Sequence, residues 1–207
     1  MSHIHLHRVL PYSKRLMNAV VLPGETVIDA TAGNGNDTYF LAELVGEKGK
    51  VFAFDIQESA LAATAERLGP LNDRVSYHLD SHANVDRYVE RPIGGAMFNL
   101  GYLPYSEDKT IITKPDSTIE AVHKILGLLK KGGIITISVY DGHEGGKEES
   151  DALIEYVQSL HQADVHVIRY ELMNLRNNPP FLIAIEKLRD FEEVTRIERT
   201  ESETDST

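Results

Sequence analysis

The chain has no cysteine and no long apolar run. Without cysteine it cannot form a disulfide, use a thiolate nucleophile or hold zinc through thiolates. Its apolar runs fall short of the roughly 20 residues that a membrane helix needs, and its start lacks the apolar core of a secretion signal. His3, His5 and His7 would share one face of a strand, but no carboxylate is near them in the sequence, so we predict no metal site. We expect a cytoplasmic protein that does not contact membranes.

Positive charge is also scarce, because 21 lysines and arginines face 32 acidic residues and leave a net charge of −11. This balance argues against indiscriminate binding to phosphate backbones, although it does not exclude a nucleic-acid substrate. Residues 190–207 hold seven of the acids and few large apolar residues, so we expect a disordered tail. Near the start of the chain, positive charge predominates, with Arg8, Lys14 and Arg15 close together. This pattern is more typical of a solvated helix face than of a basic binding patch.

The remaining residues, 1–189, predict a single domain. At 207 residues and 42% hydrophobic content, the chain can bury one substantial core. Residues 11–20 have apolar side chains at helical spacing, so the domain should start with a helical extension. The sequence does not fix an oligomeric state, and a homodimer is compatible with it.

The most informative stretch is TVIDATAGNGNDT, residues 26–38. Val27 and Ile28 predict a buried strand of a parallel sheet, with Asp29 at its carboxyl end. Glycines then allow the backbone to come close to a ligand, and a helix that opens near Asn36 offers amide donors. We therefore predict a cofactor-binding turn made by Asp29, Gly33, Asn34, Gly35 and Asn36.

The spacing of this turn favours one cofactor. A dinucleotide fingerprint requires a third glycine where this chain has Thr38. Starting at Asp29, every second residue of the turn is Asp29, Thr31, Gly33 and Gly35. This spacing resembles the D-x-G-x-G-x-G motif of S-adenosylmethionine (SAM)-dependent methyltransferases, with Thr31 in place of the first glycine. The alternative is an ordinary tight turn between a strand and a helix.

Two further strands are predicted to end in polar residues at the same edge of the sheet. KVFAFDI, residues 50–56, ends near Asp55, which lies 20 residues after Gly35. In a Rossmann-like fold an acid at this place holds the ribose hydroxyls, and Gln57 can add a donor and an acceptor. Asp55 can also cap the helix of residues 58–68. Residues 74–79 predict the next strand, which leads to Ser81 and His82. Both side chains are candidates for binding adenine. The alternatives for His82 are a general base and a loop residue without a function.

The fourth strand, residues 95–100, leads into Asn99-Leu-Gly-Tyr-Leu-Pro104. Amino-group methyltransferases have a short Asn/Asp-Pro-Pro-aromatic motif after this strand, whose oxygens orient the target nitrogen. Asn99 and Gly101 occupy that place here. Asn178-Pro-Pro-Phe181 spells such a motif outright, but it precedes the final strand, so we interpret it as a hairpin turn that edges the substrate mouth.

The fifth strand, residues 134–140, is predicted to follow a helix that Gly132 and Gly133 end. Its tip brings Tyr140, Asp141 and His143 to the same edge as the other candidates. A helix and two antiparallel strands complete the chain. The order predicts an α/β fold with a mostly parallel seven-stranded sheet and a C-terminal antiparallel hairpin, as in Rossmann-like class I methyltransferases.

Taken together, six segments resemble the YtqB-like putative rRNA methylase family from about residue 10 to residue 187. They are DATAGNGNDT, FAFDIQES, DSH, FNLGYLP, YDGHEGG and NNPPFLIAIEK. One departure follows NLGYLP: family members commonly have a glycine pair before Asp-Lys, whereas this chain has Tyr105, Ser106 and Glu107.

The resemblance implies an activity. Members of the family methylate 5-aminomethyl-2-thiouridine at the tRNA wobble position, with SAM as the methyl donor. It implies that Asn99 and the carbonyls near Gly101 align the amine, that Tyr140, Asp141 or His143 accepts its proton, and that the base of the anticodon stacks on Tyr102 or Tyr105. Two alternatives stay open: a methyltransferase for rRNA or a small amine, and a catalytically silent SAM-binding module.

Overall fold

The computed structural model describes residues 5–90, 92–100, 115–142, 146–191 and 194. Helices and strands alternate along most of the chain, as the sequence predicts. The helices are α1 (Val9–Val20), α2 (Asn36–Val45), α3 (Glu58–Leu68), α4 (Pro115–Leu128) and α5 (Gly146–Ser159). The strands are β1 (Thr26–Asp29), β2 (Lys50–Asp55), β3 (Val75–Leu79), β4 (Ile93–Leu100), β5 (Leu129–Val139), β6 (Val165–Tyr170) and β7 (Phe181–Lys187). The expected acidic tail lies outside the described residues, apart from residues 190, 191 and 194.

The strands form one sheet in the order β3-β2-β1-β4-β5-β7-β6. Strands β1 to β5 pair in parallel, while β7 pairs antiparallel with both β5 and β6. The predicted seven-stranded mixed sheet with a C-terminal hairpin is therefore confirmed. The chain order reverses between β1 and β4, and in open α/β sheets ligands bind at the carboxyl ends of the strands beside such a reversal.

Helices cover both faces of the sheet, because successive side chains of its central strands point to opposite faces. Val27 of β1 packs in one apolar cluster with Met17 of α1 and Leu41 of α2. Its neighbour Ile28 packs in the other cluster, which includes Ile125 of α4 and further side chains of α4 and α5. Strands buried on both faces need continuous apolar runs, and this explains the sequence of β1, β4 and β7.

The start of β5 differs from the prediction. Helix α4 ends at Leu128, and the strand begins at Leu129, five residues earlier than expected. Leu129 is buried and pairs with Ile93, and the register with β4 then shifts before the pairing of Gly95 with Ile134. Gly132 adopts a φ of +75° within this irregular stretch. The glycine pair therefore accommodates a strand irregularity and does not end the helix.

Helix α1 packs on one face of the sheet and runs from the carboxyl ends of the parallel strands to their amino ends. Near its start, the ring of Tyr12 stacks on that of Tyr170 at the end of β6, with 4.2 Å between ring centroids. Ser13 Oγ then donates a hydrogen bond of 3.0 Å to Thr136 in the middle of β5. At the far end, Lys130 Nζ donates to the carbonyl of Val20 at 2.9 Å. The first turn of α1 thus lies at the carboxyl edge of the parallel strands, where the candidate site residues are.

Candidate functional site at the carboxyl edge of the sheet

The turn after β1 has the backbone conformation that its glycines predict. Gly33 and Gly35 have φ values of +53° and +75°, and the Gly35 amide donates to the carbonyl of Ala32 at 2.8 Å. A Cβ atom at Gly35 would lie 2.9 Å from Cα of Thr64 in α3. Glycine is thus required at position 35 because α3 packs against the turn, a reason that the local sequence does not reveal.

Asp29 lies beneath this turn and is 1% exposed. One carboxylate oxygen accepts from the Thr31 amide at 3.1 Å, and the other accepts from the Thr38 hydroxyl at 2.6 Å. Burial, reinforced by the nearby Asp37 carboxylate, raises the pKa of Asp29 from 3.8 to about 7. Asp29 therefore ties the turn to α2 and exchanges its proton near neutral pH.

Asp55, at the end of β2, joins two turns. Its carboxylate accepts from the Gly33 amide at 3.0 Å and from the Gln57 amide at 2.9 Å. Helix α3 has Gln57 at its N-cap position, without a side-chain cap, so the expectation that Asp55 caps this helix is wrong. A carboxylate has about four acceptor positions, and two amides leave capacity for a pair of ligand hydroxyls.

The other polar groups of the turn are arranged around it. Asn34 is exposed, and its carbonyl accepts from Nε of Arg67 at 2.5 Å. Asn36 is the exposed first residue of α2, and its carbonyl accepts from Nζ of Lys14 at 3.4 Å. Both Asn side chains are thus in reach of solvent beside the turn, as the cofactor-binding prediction requires.

Ser81 and His82 follow β3 at the same edge. The Ser81 hydroxyl accepts from the Ala83 amide at 3.2 Å and so opens a short 3-10 helix. His82 is 7% exposed, and its Nδ1 lies 2.9 Å from the carbonyl of Ala30. Because a carbonyl only accepts, Nδ1 must carry the proton, and Nε2 is then a buried acceptor with no partner within the described residues. Burial lowers the pKa of His82, which keeps the ring neutral.

Asn99 reaches the crevice from the end of β4. Its backbone amide donates to the Thr31 hydroxyl at 2.7 Å, which ties β4 to the turn after β1. Thr31, which stands in place of the first glycine of the methyltransferase motif, therefore has a structural role: its hydroxyl holds the end of β4. The Asn99 side chain has no hydrogen-bond partner in the part of the chain that the structure describes. It is available to a ligand beside the chain reversal between β1 and β4.

An ion pair that the sequence analysis missed lies at the centre of the edge. Asp37, in the first turn of α2, is 8% exposed and lies 3.1 Å from Nζ of Lys14 in α1. Tyr140 follows β5 and is half-buried; burial and the Asp37 charge raise the pKa of its phenol above 10. The Asp37 charge raises the pKa of both Asp29 and Tyr140, which lie at the tips of β1 and β5, on either side of β4. The residues that separate Lys14 from Asp37, 15–36, give no sequence signal for this pair.

Asp141 lines a neighbouring cavity of about 530 Å³ between α5 and the connection from β6 to β7. Asn178 and Phe181 line the same cavity, and a Cβ atom at Gly142 would lie 3.5 Å from Cβ of Asn178. The N-P-P-F segment leads into β7 of the antiparallel hairpin, as predicted, and also borders this opening. The predicted catalytic positions Gly101 and His143, and the stacking candidates Tyr102 and Tyr105, lie outside the described residues.

These contacts produce an acidic cleft with free acceptors. Asp29, Asp37 and Asp55 surround the turn. The charges of Asp37 and Asp55 both raise the pKa of Asp29. Such a cleft suits a ligand that carries positive charge and vicinal hydroxyls. SAM has both, in its ammonium and sulfonium groups and its ribose, so the residues present fit this cofactor.

Comparison with known proteins agrees with this fit. Residues 51–186 match the model of the family described as "Putative rRNA methylase", and residues 2–83 match that of the ubiE/COQ5 methyltransferase family. A curated relative, "tRNA (mnm(5)s(2)U34)-methyltransferase, chloroplastic" from Arabidopsis thaliana, is 35% identical over 180 residues. The match covers 81% of this chain and 65% of the relative, so the chain corresponds to less than two thirds of that protein.

Solved structures give the same result. A putative rRNA-methylase from Clostridium thermocellum is 45% identical, with a TM-score of 0.86, and the match covers 89% of this chain and 100% of that one. A putative methyltransferase from Streptococcus mutans, solved in complex with SAH, is 43% identical, with a TM-score of 0.80 and coverage of 88% and 99%. No helix among the described residues is long and apolar enough to span a membrane. The family model, the curated relative and the solved structures together show that the chain belongs to the putative rRNA methylase family, within the SAM-dependent methyltransferases.

Proposed function

We propose that the protein is a SAM-dependent N-methyltransferase that converts 5-aminomethyl-2-thiouridine to 5-methylaminomethyl-2-thiouridine at the tRNA wobble position. The observation that carries this proposal is the relation to the Arabidopsis enzyme, whose name specifies this modified uridine at position 34. The geometry of the edge supports it, because a free amide side chain and an acidic cluster meet where an amine has to be bound.

In this proposal, the cofactor lies across the tips of β1, β2 and β3. Gly33, Asn34, Gly35 and Asn36 line its methionine part, and Asp29 holds that turn in shape. Asp55 and Gln57 bind the ribose hydroxyls, and Ser81 and His82 contact the adenine. The bound cofactor supplies an electrophilic methyl group, and its net positive charge offsets the acids around the turn.

Asn99 positions the target nitrogen. Its side-chain oxygen can accept an N–H of the amine, and the fixed backbone of β4, held by Thr31, sets the direction of approach. We place the carbonyl of Gly101 in the same task, following the family resemblance. Alignment of two reactants contributes up to roughly 7–11 kcal/mol in well-oriented systems, so positioning is the main contribution that this chain has to make.

The amine must also lose a proton, because an alkylammonium has no lone pair for attack. Tyr140 suits this task poorly, since its raised pKa keeps the phenol protonated at neutral pH, and we assign it a donor role toward the substrate. We propose Asp37 as the acceptor, because Lys14 holds its carboxylate in place and the Asp37 charge acts on Asp29 and Tyr140, which lie at the tips of the strands on either side of β4. His143 remains a predicted alternative.

One further substrate class has an observation in its favour. A ribosomal RNA small subunit methyltransferase H from Oceanobacillus iheyensis is 28% identical over 85 residues, which covers 39% of this chain. Purified protein should therefore be offered labelled SAM with tRNA that lacks the final methyl group, with ribosomal RNA and with small amines. Label in tRNA alone, located by nucleoside mass spectrometry at the wobble uridine, is the expected result. Label in rRNA or amines alone would replace the proposal, and tight cofactor binding without transfer would indicate a silent module.

Two substitutions separate binding from turnover. Asp55→Ala should weaken cofactor binding in calorimetry by roughly a hundredfold, because hydrogen bonds to a charged group are lost. Asn99→Ala should leave cofactor affinity within about twofold and reduce turnover by roughly a hundredfold or more, through lost alignment. Asp73→Ala, which removes an exposed acid far from the edge, is the matched control and should change neither quantity. The opposite pattern for the first two variants would reverse the assignments.

A further inference from the structure

The charge of this chain is unevenly distributed. Its net charge is −11, yet the first acidic residue is Glu25, and the 24 residues before it contain Arg8, Lys14 and Arg15. A second stretch without acids runs from residue 172 to residue 185 and contains Arg176. Both segments are locally basic in a protein whose net charge is negative.

The fold brings both segments to the reactive edge. The Tyr170 hydroxyl, at the end of β6, donates to the carbonyl of His7 at 2.6 Å, and the ring of Tyr170 stacks on Tyr12. Lys14, two residues after Tyr12 in α1, reaches Asp37 in the candidate site. The connection from β6 to β7, which carries Arg176, begins directly after Tyr170. Positive charges from two distant parts of the chain therefore lie at the same edge of the sheet as the candidate site.

The arginines of these segments are available to a partner. Arg8, Arg15 and Arg176 are exposed, and none has a carboxylate partner within the residues that the structure describes. Arg15 contacts an imidazole nitrogen there, with Nη1 3.3 Å from Nε2 of His7. Arg169 differs, because its guanidinium is paired with Glu171 at 2.8 Å. We call Arg8, Arg15 and Arg176 the basic rim.

We propose that the basic rim binds the phosphate backbone of the RNA strand that carries the target nucleotide. The inference rests on the proposed function and names the surface that this function needs. Guanidinium groups bind phosphates through two parallel hydrogen bonds, and unpaired ones lose no internal ion pair when they do so. Because most of the protein repels a polyanion, a basic rim at the same edge of the sheet as Asn99 also orients the RNA with its target base toward the candidate site.

Binding of an anticodon stem-loop RNA tests the rim. Fluorescence anisotropy with saturating S-adenosylhomocysteine, repeated over a range of salt concentrations, gives the affinity and its salt dependence. We expect Arg8→Gln/Arg15→Gln to lower affinity about tenfold at moderate salt, and to reduce the slope of log K against log salt by about 1 to 2. Arg176→Gln should act in the same direction, with a slope change of about 1.

Lys48→Gln/Lys131→Gln is the matched control, because it removes two exposed lysines near the starts of β2 and β5, at the opposite edge of the sheet. Equal effects of the control and rim variants would overturn the proposal, since they would show a general charge effect. The free nucleoside 5-aminomethyl-2-thiouridine, which has no phosphate, provides a second readout. Rim variants should methylate it at the wild-type rate, and an equal loss on nucleoside and tRNA would refute a role in backbone binding.

The same measurements separate the two proposals. If wild-type protein binds the stem-loop through the rim but methylates no tRNA, the proposed function fails and the rim stands as an RNA surface. If wild-type protein methylates tRNA and the rim variants bind and react normally, the rim fails and the function stands.

Discussion

Asp29 gives the clearest quantitative test of the site. Its pKa is raised from 3.8 to about 7 by burial and by the neighbouring Asp37 carboxylate. A carboxyl group that binds its proton more tightly in the folded state lowers stability as pH rises, with the loss starting near its unfolded value and complete above its folded one. A shift of about three units corresponds to about 4 kcal/mol, so wild-type protein should lose about that much stability between pH 4 and pH 8 through this group.

Asp29→Asn removes this dependence and keeps the shape of the site. The amide oxygen can accept from the Thr31 amide, and the amide nitrogen can donate to the Thr38 hydroxyl, so both observed contacts have a replacement. We expect the variant to match wild type near pH 4 and to be more stable by about 4 kcal/mol at pH 8, a rise in melting temperature of roughly 10 °C. Urea denaturation at several pH values measures the difference directly.

Asp73→Asn is the appropriate control, because it removes an exposed carboxylate that is solvated whether or not the chain is folded. Its difference from wild type should be small at every pH. A constant difference between Asp29→Asn and wild type from pH 4 to pH 8 would refute the reasoning, since it would show that the buried charge is not the source of the effect.

Three further predictions follow from contacts in the site. Gly35→Ala should destabilise the protein by about 2 kcal/mol or more in urea denaturation, because its Cβ would meet Thr64 and φ is +75°. Thr31→Val leaves the Asn99 amide without its acceptor, so we expect a loss of about 1–3 kcal/mol in the same assay together with lower turnover. Asp37→Asn should reduce turnover about 10²–10⁴-fold at neutral pH, as expected when a general base is removed. Its rate should recover as pH rises and the free amine becomes more abundant, and a flat pH profile would argue against the acceptor role.

Much of the fold could be predicted because its signals are local. An apolar strand, a glycine turn and an amphipathic helix recur along the chain, and parallel strands place all their carboxyl ends at one edge. This is why Asp29, Asp55 and Asn99 could be assigned to one site from the sequence, and the structure brings all three to that edge. The start of β5 was missed because Gly132 and Gly133 serve a strand irregularity as readily as a helix end.

The site itself could be predicted only in part, because its decisive contacts join distant residues. Thr31 and Asn99 are 68 positions apart, and neither reveals the other. Lys14 looked like part of a solvated face, although its amine pairs with Asp37. Such contacts depend on where α1 packs on the sheet, and no local pattern specifies that position.

The course of α1 has a consequence for the order in which the domain assembles. The carbonyl of His7 accepts from the Tyr170 hydroxyl, and these two residues are 163 positions apart in the sequence. During synthesis the residues of α1 leave the ribosome early, but this hydrogen bond and the stacking of Tyr12 on Tyr170 can form only after β6 has been made. The start of α1 is therefore among the last parts of the domain whose packing is completed.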